Sequence, residues 1–170
     1  MKNILSLLIF GFLAFSLNAQ NEFDEAIKES LGNYQQALLV KDFVTAASHL
    51  HPGIVEKGGG NELYADILKQ EVESYNSSGI KFMDYKTLPT GDIVAAGSEL
   101  HCIVSHEITM LFGEKYFMGK EHLLAASMDE GKSWYFVDLK TFDQESLKEF
   151  LPNFNADLQI PSNPPMEEIK

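Results

Sequence analysis

The hydrophobic period of this chain changes at Gly79, and that switch restricts the fold more than any other feature of the sequence. Before Gly79 apolar residues recur at steps of three and four; after it they alternate. From Asp24 onward Ala26, Ile27, Leu31, Tyr34, Leu38 and Leu39 fall on one stripe of a helix. The stretch KDFVTAASHLHP predicts a short second helix from Phe43 to Leu50, which Pro52 prevents from continuing. Ile54-Val55-Glu56 reads as a brief extended piece and Gly58-Gly59-Gly60 as a connector. A further helix is expected from Glu62 to about Ser74, with Leu63, Ile67, Leu68, Val72 and Tyr75 on its apolar face. Asn76-Ser77-Ser78-Gly79 ends it.

Beyond Gly79 the segment from Ile80 to Tyr85 predicts a strand, turned at Leu88-Pro89-Thr90-Gly91-Asp92. A long extended run from Ile93 to Phe112 follows, with Gly97 as a bulge or bend. A hairpin at Gly113-Glu114 leads into a return strand, Tyr116 to Met128. Asp129-Glu130-Gly131-Lys132 turns the chain again into a last strand, Ser133 to Lys140. A closing helix is expected from Gln144 to Leu151, with Phe142 or Asp143 near its start. Helices first and an antiparallel meander afterwards predict one α+β domain over residues 21–152, with the helices packed on the sheet. From Leu100 to Phe112 the even positions are apolar except His106, which makes the even face the inner one.

Composition narrows the partners. The chain has 170 residues, a formal net charge of -12, and 13 basic residues that are all Lys. Without Arg, and with that excess of acid, recognition of nucleic acid is not expected. A single Cys, Cys102, rules out an intramolecular disulfide framework and a zinc ribbon. At the N-terminus Lys2 precedes an apolar run from Ile4 to Leu17 and the small residue Ala19. This predicts a signal peptide over residues 1–19, cleaved near Ala19, and hence a periplasmic or extracellular protein with no stable membrane insertion after cleavage. Residues 153–170 hold Pro161, Pro164 and Pro165, so a tail is expected there, laid over the domain through Phe154, Leu158 and Ile160 before fraying.

The order of these segments, with Lys41 to Pro52 and the strand-turn-strand LLAASMDEGKSWYFVD from Leu123 to Asp138 as the best local matches, resembles small bacterial members of the nuclear-transport-factor-2-like superfamily. The resemblance covers roughly Asp24 to Phe150. It implies a strongly bent antiparallel sheet wrapped around helices into a cone (cystatin-like in its general form), an apolar pocket at the open end, and dimers through the outer sheet face. The superfamily includes isomerases, dehydratases and binding modules, so the fold implies where a site lies and not its chemistry.

Four constellations carry possible chemistry. With a two-residue loop at Gly113-Glu114, Phe112 opposes Lys115 and His106 opposes Glu121, both facing inward. A His beside a carboxylate in an apolar cavity can move protons near neutral pH, and Asp138 joins them if the last strand is in register. His49, His51, His101 and His122 stand at no metal spacing and read as solvent-facing or helix-end residues. Ser127-Met128-Asp129-Glu130-Gly131-Lys132-Ser133-Trp134 fits the Asp-box hairpin pattern, read here as a structural turn. The triple glycine lacks the residues of a phosphate cradle.

Neither a cofactor nor a metal is expected. The expected function is therefore that of a non-catalytic module binding a small apolar or neutral ligand, or a protein partner. Cys102, Val104, Ile108, Leu123, Trp134 and Phe136 are the expected pocket lining. The alternative is an isomerase- or hydrolase-like enzyme using His106, Glu121 and Asp138.

Overall fold

In a computed structural model, which describes residues 2–142 and 144–170 and the side chains of 20–142 and 145–170, the boundary at Gly79 separates a helical half from a sheet. The helical half consists of α1 (Lys2–Leu39), α2 (Phe43–Ser48), α3 (Pro52–Lys57) and α4 (Asn61–Ser77). The expected signal segment, 1–19, and Asp143 lie outside the residues whose side chains are described. Among the described residues no helix is long and apolar enough to cross a membrane.

The Asp42 carboxylate caps α2 by accepting from the Thr45 backbone N–H at 3.1 Å. The residues around Ile54-Val55-Glu56, expected to be extended, form α3 instead. Pro52 suits a first helical position, and His51 Nδ1 accepts from Gly53 N–H at 3.1 Å, so the pair start a helix there. The extended residue comes just earlier: Leu50 bridges in parallel to Phe136 of the sheet.

The sheet has six strands and is not closed: β1 (Ile80–Thr87), β2 (Val94–Ala96), β3 (Glu99–Phe112), β4 (Lys115–Ser127), β5 (Tyr135–Asp138) and β6 (Glu167–Ile169). Its order is β1-β3-β4-β5, with β2 also on β3 and β6 also on β4. The β3–β4 hairpin is its spine, in register from Leu100 opposite Ser127 to Phe112 opposite Lys115 around a two-residue loop. The expected run from Ile93 to Phe112 is two strands. Gly97, at φ 64°, makes a tight turn that folds β2 back onto β3. β1 carries a bulge between Phe82 and Asp84. The last strand is shorter than expected, because Ser133 N–H is held by the Asp129 carboxylate and Trp134 Nε1–H by Gly131 O within the turn.

The two faces of the sheet have different covers. On the inner face Cys102, Val104, Leu123, Ala125 and Phe136 pack against Ile27, Leu31, Tyr34, Ala46 and Leu68 of the helices, as the even-position pattern predicts. On the outer face Leu124 and Val137 are covered by α5 (Gln144–Phe150) and the chain after it, through Leu147, Leu151, Phe154 and Leu158. The tail does dock through Phe154 and Leu158. It does not fray after Ile160: it returns to the sheet as β6, pairing Met118, Phe117 and Tyr116 with Glu167, Glu168 and Ile169. An edge position next to β4 tolerates the prolines that precede it.

Candidate functional site

Pairing positions the central residues. His106 opposes Glu121 across β3–β4, and Asp138 opposes Leu123 across β4–β5. Directly opposed residues share a face, so His106, Glu121 and Asp138 all project inward. They line one end of a cavity of about 170 Å³ between the sheet and the C-terminal halves of α1 and α4. Its walls are mainly apolar or aromatic: Tyr34 and Leu38 from α1, Leu68, Val72 and Tyr75 from α4, Ile80, Phe82 and Tyr85 from β1, Ile108, Met110 and Leu123 from the spine. Met166, just before β6, closes part of the rim, and Glu71 and Lys140 supply its remaining charge.

His106 is held by its neighbours and left unsatisfied at its tip. Thr87 Oγ1 donates to Gln35 Oε1 at 3.5 Å, which turns the Gln35 amide nitrogen toward His106 Nδ1 at 3.3 Å. Nδ1 therefore accepts, and the uncharged ring carries its proton on Nε2, facing the cavity. The Tyr85 ring packs on the imidazole edge-on, with centroids 5.6 Å apart. Nε2 is buried and has no hydrogen-bond partner; the nearest carboxylate oxygen, Glu121 Oε2, is 3.9 Å away. A gap of that size leaves the donor unpaired, and an unpaired buried donor costs about 1–3 kcal/mol.

The carboxylates are driven apart. Burial raises Glu121, but the facing His106 ring and the hydrogen-bonded Lys140 ammonium outweigh it and hold this carboxyl below its usual range. Lys140 Nζ lies 2.6 Å from Glu121 Oε1. Burial raises Asp138, and the neighbouring Glu121 charge adds to that, although Asp138 Oδ1 accepts from Lys140 N–H at 2.8 Å. Glu71, exposed at the rim on one side, is raised as well, by partial desolvation and then by Asp138. The Tyr34 and Tyr85 hydroxyls are pushed far up, chiefly by burial, and stay protonated at any physiological pH.

Of the residues expected to line the pocket, Ile108 and Leu123 do so. Cys102, Val104, Trp134 and Phe136 do not. Trp134 is buried in the turn before β5, and Cys102, Val104 and Phe136 share the inner face but lie further along the sheet, where the helices pack directly on it. Burial there pushes the Cys102 thiol up to about 12, so it is inert as a nucleophile.

His49 at the end of α2 and His51 at the start of α3 stand at helix ends, as expected, but His101 and His122 are buried within the sheet and not solvent-facing. His51 starts α3. His101 Nε2 lies 2.9 Å from Glu99 Oε2, and Ser105 Oγ meets His122 Nδ1 at 2.8 Å. All three are structural, and among the described residues no group of His, Cys, Asp and Glu is arranged to hold a metal.

Sequence reasoning missed Glu71, Lys140, Tyr34 and Tyr85 as parts of this site. Glu71 had a signal: it lies three residues after Leu68 and four before Tyr75, an acid on the apolar face of α4. Lys140 had none, because it follows the end of β5. The sequence matches no model of a known protein family and no curated protein.

Proposed function

We propose that this cavity binds a small, largely apolar molecule by one polar end, and that the protein is an exported member of the nuclear-transport-factor-2-like superfamily. The observation that carries the binding reading is His106: a buried donor in the wall of an apolar cavity, oriented by Gln35 and without an acceptor. A bound ligand oxygen completes that hydrogen bond. Helices packed on one face of a bulged antiparallel sheet support the superfamily reading, and the sequence of residues 1–19 supports export. A homodimer through the sheet would use the part of the outer face around Lys86, Glu107 and Lys120, since α5 and the tail occupy the rest.

The test is mass spectrometry of small molecules retained by the natively purified mature protein, alongside Leu123→Trp, which fills the cavity beside Glu121. A defined small molecule should co-purify with the parent protein and be absent from a folded Leu123→Trp variant. An empty parent protein, or equal retention by both, would overturn the reading.

Acid–base catalysis is the second reading, favoured by one observation. Glu121 is lowered and Asp138 raised within one cavity beside His106, the separation of carboxylates that assigns a base and an acid. Recovery of a chemically altered ligand would favour it over simple binding.

A further inference from the structure

The polar end of the cavity is not charge-balanced. Three carboxylates face it, Glu71, Glu121 and Asp138, against one ammonium, Lys140. Lys140 is committed to Glu121 at 2.6 Å. Among the described residues, no Lys or His nitrogen comes within 4.0 Å of a carboxylate oxygen of Glu71 or Asp138. These two carboxylates also act on one another electrostatically. The walls around them are rings: Tyr34, Tyr75, Phe82 and Tyr85. Aromatic faces attract organic cations and do nothing for anions. His106 Nε2–H, buried and unpartnered beside them, is a separate polar group at this end that a ligand oxygen would pair.

The apolar side continues outward. Ile80, Met110 and Met166 line both the cavity and an adjoining open groove of about 280 Å³, which Phe112 and Phe117 complete. A chain too long for the cavity can therefore run out along this groove without leaving apolar surface. Both polarity and length point to an amphiphile.

We propose, building on the binding reading above, that the ligand is an amphiphilic amine, with its ammonium facing Glu71 and Asp138 and its apolar chain running past Ile80 and Met110 to the Phe112–Phe117 groove. The excess of acid over the whole chain favours the approach of such a cation, and the lack of Arg is no handicap to binding it.

Three matched probes separate charge from apolar fit: 1-amino-2-decanol, 1,2-decanediol and 2-hydroxydecanoate. All three offer His106 a hydroxyl on a similar chain, and their end groups are cationic, neutral and anionic. Titration calorimetry of the full mature chain at pH 7.5, below micelle-forming concentrations, should show the amine binding at least about tenfold more tightly than the diol, and the hydroxy acid most weakly. The amine-to-diol affinity ratio should fall toward one in Asp138→Asn. Glu71→Gln should lower the same ratio, and because Glu71 is exposed at the rim this variant leaves the core packing untouched. Diol or hydroxy acid binding as tightly as the amine would overturn the amine proposal and leave the binding reading standing. If none of the three binds, the binding reading falls with it. An unchanged ratio in both variants would overturn the assignment to these carboxylates.

Discussion

His106 and Glu121 face one another without meeting, and the 3.9 Å between them is the most informative distance in the molecule. Closing to hydrogen-bonding distance would spare a buried donor the cost of staying open, as it would at His51–Glu99, where the gap is the same. Gln35 prevents that closure by holding Nδ1 from the opposite side. Asp138 is held at a cost of a different kind. Its folded pKa is raised, first by burial and then by Glu121, so its ionised form destabilises the folded state at neutral pH. That penalty shrinks as pH falls through the folded pKa and is gone below the unfolded value of 3.8, where the carboxyl is protonated in both states. Asp138→Asn keeps the acceptor for Lys140 N–H and removes the charge. It should therefore raise the urea midpoint at pH 7.5, with the gain vanishing by about pH 3.5. Glu121→Gln should do the reverse. Glu121 has a lowered folded pKa, so it contributes stability above 4.5 that is lost as pH falls through the folded value.

Among the elements, the C-terminal segment divides into a part that holds and a part that only rests. Leu151, Phe154 and Leu158 are nearly fully buried against Leu124 and Val137 of the outer face. β6 contributes three residue pairs and one exposed ion pair, Lys115–Glu168 at 2.8 Å. Exposed pairs of that kind contribute little. Phe154→Ala should thus cost about 3 kcal/mol in equilibrium unfolding. Deleting residues 162–170 should cost only about 1 kcal/mol. That deletion also removes Met166 from the rim, so bound ligand should leave the truncated protein faster in stopped-flow dissociation, even though its stability barely changes.

The Asp-box-like turn behaves as a structural hairpin. Gly131 sits at φ 90° with the Phe23 ring where a Cβ would project, and Ser127 Oγ accepts from its N–H at 2.8 Å. The turn pattern is legible in the sequence; the Phe23 contact that closes it comes from α1, more than a hundred residues earlier.

For the whole molecule, an excess of 25 acidic over 13 basic residues means that folding concentrates like charge. The ion pairs on the surface, Lys86–Glu107 and Lys115–Glu168, are too few to offset it. Raising NaCl from 10 to 300 mM should therefore increase the melting temperature, since screening relieves more repulsion than attraction. A falling melting temperature would mean that the paired charges dominate.

What the sequence determined by itself follows from its two periods. Alternation after Gly79, with a loop of two residues at Gly113-Glu114, is enough to oppose His106 and Glu121 on the inner face, because strand side chains repeat every two residues and a one-residue slip would expose the whole apolar set. The helical stripes likewise state which face each helix buries. Where Pro52 stands between two helical segments, or Gly97 between two strands, local pattern alone does not distinguish a break from a bend.

Only the tertiary structure decided how far along the sheet the helices reach. Cys102 and His106 look alike by period, yet the helices press directly on the first and stand off from the second, which leaves a cavity there. It also brought Glu71, Lys140 and Tyr34 to that cavity from three separate segments, and covered the outer face with the chain's own tail. Periodicity reports that a residue is buried. The partners that bury it, and whether they leave room for a ligand, depend on contacts between segments far apart in the chain.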